Sequence, residues 1–291
     1  MVAVGGDYTF EMAWNASLHL NYSPRESAGK TKTVAHFTHT GPLRILQSLY
    51  PEGEQICHNV LVHPPGGLVG GDTLDLKIDS APGAHGLLTT PGATRFYRSD
   101  GEPALQRTAI AVADNARMEW LPLEAIAYSG CRAENRLTMA LAPGAELLGW
   151  DITALGLPAA NQPFAAGSFS QHIEIPGVWL ERARIQAADH LLLNSSLGLA
   201  GQRCMGTLFF VAGNELQRTR RQDALDVART VINSHPLCQQ AGATSPDRRV
   251  VVVRVLAPVV EPVMQLLKQV RAAWREQLWG LHGAAPRVWA T

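Results

Sequence analysis

In the stretch DTLDLKID, Leu74, Leu76 and Ile78 alternate with Thr73, Asp75, Lys77 and Asp79. A period of two puts the apolar side chains on one face of an extended chain and the polar ones on the other. This pattern fits a half-buried strand and excludes an amphipathic helix, whose apolar positions recur every three or four residues. The alternation returns in RLTMALA through Leu137, Met139 and Leu141, and in FSQHIEI through Phe169, Ile173 and Ile175. Pro82-Gly83, Pro91-Gly92, Pro143-Gly144 and Pro176-Gly177 stand between such runs. These turn dipeptides set a strand roughly every ten to fifteen residues.

A fainter regularity is superimposed. APGAHGLL (Ala81 to Leu88), ADNARMEWL (Ala113 to Leu121) and APGAELLGW (Ala142 to Trp150) each place a turn before a short apolar strand, about thirty residues apart. Stacked turn-and-strand units produce this spacing, and so do ordinary β meanders with similar turns. Three imperfect copies do not separate the two.

Beyond residue 200 the period changes. GTLFFVAG and RRVVVVRVL read as strands, while RQDALDVARTVINSH carries Leu225, Ala228, Val231 and Ile232 at helical spacing. From Pro262 to Trp279, Val263, Leu266, Leu267, Val270 and Trp274 share a helical face, with Pro262 at the start and Gly280 at the stop. No Ser/Gly-rich linker or charge block divides the chain. The expected architecture is mainly β: one domain over residues 1–291, stacked sheets over 10–200, mixed strand and helix over 201–291, and two or so α-helices near the C-terminal end.

A chain of 291 residues buries about three quarters of its unfolded surface, so its core needs no disulfide or structural metal. Lys+Arg 25 against Asp+Glu 25 leaves no basic excess for a nucleic-acid backbone. Charged residues are 17% of the chain against about 25% in ordinary domains, which implies an unusually neutral surface or a covered one. Cys57, Cys131, Cys204 and Cys238 form no C-x-x-C pair, the usage of a reduced, cytoplasmic protein. MVAVGGDYTFEMAW lacks the basic and apolar regions of a leader peptide. The most apolar stretch, VVVVRVLAPVV, is broken by Arg254 and Pro258 and is too short to span a membrane.

HPPGGLVGGDT, His63 to Thr73, comes close to a phosphate-binding loop. Read from Gly66, it keeps the glycine spacing of a Walker A frame, but Asp72 stands where the frame requires Lys. A carboxylate there repels a triphosphate, which removes the nucleotide reading. What remains is a loop shaped by Pro64, Pro65 and four glycines.

Other chemistry is sparse. There is no G-x-S-x-G elbow. His36 and His39 lack the Glu of a zincin and, on a strand, point to opposite faces, as do Cys57 and His58. Arg218, Arg220 and Arg221 precede a predicted helix, where positive charge is mildly disfavoured, and read as a solvated loop. Arg95, Phe96, Tyr97 and Arg98 read as an interface loop, because buried protein contacts favour Arg and aromatic side chains; stacking on a base or sugar is the other use of such a cluster. Asp72, Glu124, Asp151 and Glu181 sit in neutral surroundings. Singly they suit turns or solvation; together such carboxylates could line a polar path for divalent cations.

HPPGGLVGGDTLDL, APGAHGLLTTPGATRFYRS, MEWLPLEAI, GWDITALGLPA and the ending RAAWREQLWGLHGAAPRVWAT, taken together, resemble the urease accessory protein UreD (UreH) family over roughly residues 10 to 291. The GCRAEN run with Cys131 and the segment HPLCQQAGATSPD depart from the pattern. The resemblance implies a β-rich, non-catalytic maturation factor that scaffolds apo-urease with UreF and UreG. Nickel is then inserted with GTP hydrolysis by UreG and passes transiently, without a stably bound cofactor, through an internal channel. Asp72, Asp151 and Glu181 match acidic positions in the family's motifs, and His63 and Thr94 lie in the same blocks; Asp72 leads as a nickel-passage residue. Arg95, Phe96, Tyr97, Arg98 and Trp274 are the expected interface. The alternative is a β-rich carbohydrate or small-ligand hydrolase using Glu124 and Asp151 as paired carboxylates. A plain interaction module is the third reading.

Overall fold

The computed structural model describes residues 13–27 and 29–290; most of the N-terminal segment read as lacking a leader lies outside the described residues. The chain opens with an antiparallel pair, β1 (Asn15–Ser27) and β2 (Lys30–Thr40), followed by β3 (Arg44–Ile45), β4 (Ile56–Val62) and β5 (Gly67–Leu68). It then coils. One turn of the coil is β6 (Thr73–Ser80), β7 (His85–Thr89) and β8 (Thr94–Phe96), and the next is β9 (Ala104–Val112), β10 (Arg117–Leu121) and β11 (Ala125–Ala127). The third is β12 (Arg132–Leu141) and the long β13 (Glu146–Leu157), whose end pairs with β14 (Gln162–Pro163).

Successive turns stack in parallel: β1, β6, β9 and β12 along one wall, β4, β7, β10 and β13 along a second, β5, β8 and β11 along a third. The thirty-residue repeat is therefore a stack of coils rather than a meander. Its turns explain the repeat: the amides of Ala84, Ala116 and Ala145 bond the carbonyls of Ala81, Ala113 and Ala142. The residue before each buried alanine has positive φ, at Gly83 (73°), Asn115 (56°) and Gly144 (73°). Glycine adopts that conformation freely and asparagine tolerates it, so ADNA stands in for APGA.

β15 (Ser168–Ile175) joins the first wall and β16 (Trp179–Gln186) closes it antiparallel, giving the order β16-β15-β12-β9-β6-β1-β2. After the short α1 (His190–Asn194) come β17 (Cys204–Ala212), α2 (Arg218–Asn233), β18 (Ala241–Asp247), β19 (Val250–Ala257) and α3 (Val260–Trp279), with a 3-10 turn at Arg287–Ala290 beyond them. β17, β19 and β18 extend the second wall antiparallel beyond β13.

These walls form three layers. Leu76, Ile110, Met139 and Phe169 of the seven-stranded sheet meet Met118, Leu147 and Phe209 of the other in one core. The opposite face of the second sheet, with Leu148, Trp150, Phe210 and Val253, packs on Leu266, Leu267, Val270 and Trp274 of α3 in a second core. Thus the alternating sequences all fall in the sheet with a solvent face (β6, β12, β15), whereas β13, β17 and β19 are covered on both faces and read as continuous apolar runs.

Two expected interface residues are corrected here. Trp274 is fully buried, its indole N–H donating to the Ala224 carbonyl at 2.8 Å, because α3 turns that face onto the second sheet. Phe96 is also fully buried, edge-on to Phe169 at 5.5 Å, since alternation along β8 points it inward. Arg95 and Arg98 stay exposed, and Tyr97 lies half-buried against Tyr128.

α3 is also anchored by buried charge. Glu119 on β10 accepts from Arg271 Nε at 2.9 Å and Nη2 at 2.7 Å, and lies 3.3 Å from Arg275 Nε. Arg275 reaches Glu52, which holds His58.

Candidate functional site

The glycine loop builds another course of the coil. β5 pairs with β8, and the Tyr97 amide donates to the Leu68 carbonyl. A Cβ on Gly67 would stand 2.2 Å from the Tyr97 ring, so only glycine lets the strands close there. The Asp72 carboxylate accepts from the amides of Trp14 (2.8 Å) and Val69 (2.9 Å). Its oxygens thus cap a turn. This explains the carboxylate in the Walker-like frame, and it makes a nickel-passage role for Asp72 weaker than the sequence implied.

Asp151 is placed differently. On β13, Trp150 and Ile152 face the helices, so Asp151 faces the other sheet and is 6% exposed. Its carboxylate accepts from Asn135 Nδ2 at 2.8 Å, Gln171 Nε2 at 2.5 Å and Thr153 Oγ1 at 3.3 Å. Burial raises its pKa from 3.8 to about 6, against those hydrogen bonds and with a further push from Glu181. Glu181, on β16, takes a bidentate contact from Arg254 (2.6 Å at the closer pair) and a bond from Thr207 at 3.3 Å.

Strand register shows why these groups meet. Gln106, Asn135 and Gln171 are successive partners across β9, β12 and β15; Asp151, Thr207 and Arg254 are successive partners across β13, β17 and β19. Two polar rows therefore face each other through the apolar core, bridged by Asp151 and Glu181. Gln106 bonds Asn135 at 3.3 Å and also lines a cleft of about 250 Å³ with His63, Thr90, Thr94 and Arg95. The outer end reaches solvent at Arg254, whose side chain is 44% exposed.

Of the sequence-predicted positions, His63 and Thr94 line the cleft at one end, Asp151 lies within the seam and Glu181 near the other end; Asp72 stands apart in its turn. Burial lowers the His63 pKa while Asp72 raises it. Sequence reasoning missed Gln106, Asn135, Gln171, Thr207 and Arg254. The first three carried a signal: each is a polar residue among the mostly apolar inward-facing positions of its own strand. Glu124 lines a separate cleft with Cys204 and Glu261, away from the sheet interior that holds Asp151, so the two do not share that cleft as a catalytic carboxylate pair. Among the described residues no group of three or more His, Cys, Asp or Glu is arranged to hold a metal ion, and no helix is long and apolar enough to cross a membrane.

Fold and site together define a mainly β protein of stacked parallel coils, covered by helices on one side and crossed by a polar seam. The family model of the UreD urease accessory protein matches residues 15–290. Relatives named urease accessory protein UreD are 71% identical in Polaromonas sp. (strain JS666), 66% in Variovorax paradoxus (strain S110) and 50% in Methylibium petroleiphilum (strain PM1), each match covering 96% of this chain and all of the relative. The chain belongs to the UreD urease accessory protein family.

Proposed function

We propose that this protein is a non-catalytic, cytoplasmic scaffold of urease maturation that binds apo-urease together with UreF and UreG, and that nickel crosses it along the seam during GTP-dependent insertion. Family membership supports the maturation role. The observation that carries the conduit is the line of oxygen and amide groups from the Gln106 cleft through Asp151 to Glu181. Oxygen donors in twos hold a divalent ion too weakly to trap it, and transit requires release. Near pH 7 Asp151 is largely ionised in a site that disfavours its charge, so a passing cation relieves an existing cost. His63 and Thr94 would receive the ion; Arg95 lines that entrance, and half-buried Tyr97 and exposed Arg98 follow it in the chain.

Urease co-produced with UreF and UreG, with and without this chain, tests the role. Nickel content per urease active site should fall sharply without it; equal content in both preparations contradicts the reading.

A further inference from the structure

A second cleft, about 640 Å³, opens at the N-terminal ends of the stacked strands and shares no lining residue with the Gln106 cleft. In-register neighbours His85, Arg117 and Glu146 of β7, β10 and β13 form part of its wall, and Arg220 from the first turn of α2 completes it. The Glu146 side chain is 11% exposed and already engaged: it is ion-paired to Arg220 and accepts from Trp279 Nε1 at 2.6 Å. Arg220 also donates to the Leu278 carbonyl.

Arg117 is left over. Its Nε lies 3.7 Å from Glu146, beyond hydrogen-bond reach, and its guanidinium rests 5.2 Å from the Trp279 ring centre. Among the described residues it donates no side-chain hydrogen bond. His85, in the same wall, keeps a buried Nε2 without a hydrogen bond, 3.4 Å from Glu119 but out of line with it. Burial holds that imidazole toward its neutral form. Two guanidinium charges against one carboxylate leave a single positive charge. The neighbouring Lys32–Glu54 pair cancels itself. α2 adds to the field, since its first turn holds arginines, no acidic residue and no side-chain cap.

We propose that this cleft is a carboxylate-binding site, in which Arg117 is the unused fork for a singly charged acid group. One net positive charge matches a carboxylate better than a doubly charged phosphate. A planar guanidinium pairs with a carboxylate through two parallel N–H bonds. The acid group comes either from a small organic acid or from an acidic side chain of a protein partner.

Propionate titrated into the full-length protein at constant ionic strength, followed by amide NMR shifts, is the first test, and it is independent of any urease role. Arg117→Gln should weaken saturable binding by about tenfold or more. Glu146→Gln, which removes the competing internal carboxylate, should tighten it. Arg117→Lys keeps the charge but loses the fork, and should fall between wild type and Arg117→Gln. If propionate does not bind, the same variants are assayed for co-purification with urease apoprotein: weakening by Arg117→Gln with strengthening by Glu146→Gln assigns the acid to the partner. The proposal is overturned if neither readout responds, or if both substitutions move binding in the same direction.

Discussion

Asp151→Asn should make this protein more stable, and the effect should depend on pH. The folded-state pKa of about 6 lies roughly two units above the ordinary 3.8, and each unit corresponds to about 1.4 kcal/mol. The folded state binds the proton more tightly, so stability falls as pH rises from the unfolded value through the folded one. Above about pH 6.5 the ionised group costs about 3 kcal/mol relative to a neutral one. Asparagine removes that cost but supplies one acceptor oxygen where Asn135, Gln171 and Thr153 now donate, which returns about 1 kcal/mol. The net gain is about 2 kcal/mol at pH 7.5 and passes through zero at about pH 4.5, where the falling charge cost equals the roughly 1 kcal/mol lost with the acceptor. Urea unfolding of both proteins across pH 4 to 8 measures it. A variant less stable than wild type at pH 7.5, or a difference flat with pH, would refute the reasoning.

Glu119→Ala leaves Arg271 and Arg275 buried without their shared carboxylate and should cost about 3–5 kcal/mol, visible as a clear drop in melting temperature. Burial opposes the charge of Glu119, but Arg271 and its neighbours outweigh it and hold the carboxylate well below the usual range, so its contribution is complete above the ordinary value of 4.5 and is lost progressively as pH falls from there through the folded value. Asp72→Ala strips acceptors from the Trp14 and Val69 amides, and hydrogen exchange at both should accelerate while the rest of the sheet stays protected. Under the conduit reading, Arg254→Gln frees Glu181, and more nickel should stay with the accessory complex through gel filtration; unchanged retention would count against an exit at Glu181.

The sequence made legible what depends on local pattern. Alternation reveals β6, β12 and β15 because their outer faces are wet; the helices show because apolar residues recur on one side and Gly280 ends α3 in a left-handed cap. The coil was only half legible: ADNA and APGA share a turn geometry, not a spelling, and parallel pairing is a long-range fact. The seam is harder still. Asp151 belongs to it through its register with Thr207 and contact with Gln171 across the gap. Nothing in GWDI states either. Asp72 drew attention through a motif, and a motif does not reveal that two backbone amides already claim its oxygens.

The most direct measurement of the central claim is nickel bound per active site in urease co-produced with the Asp151→Asn variant and its partners. Because the variant should be no less stable at neutral pH, misfolding cannot mimic the effect. The conduit account predicts an intact accessory complex and markedly less nickel in urease. Full nickel loading with Asp151→Asn would contradict it.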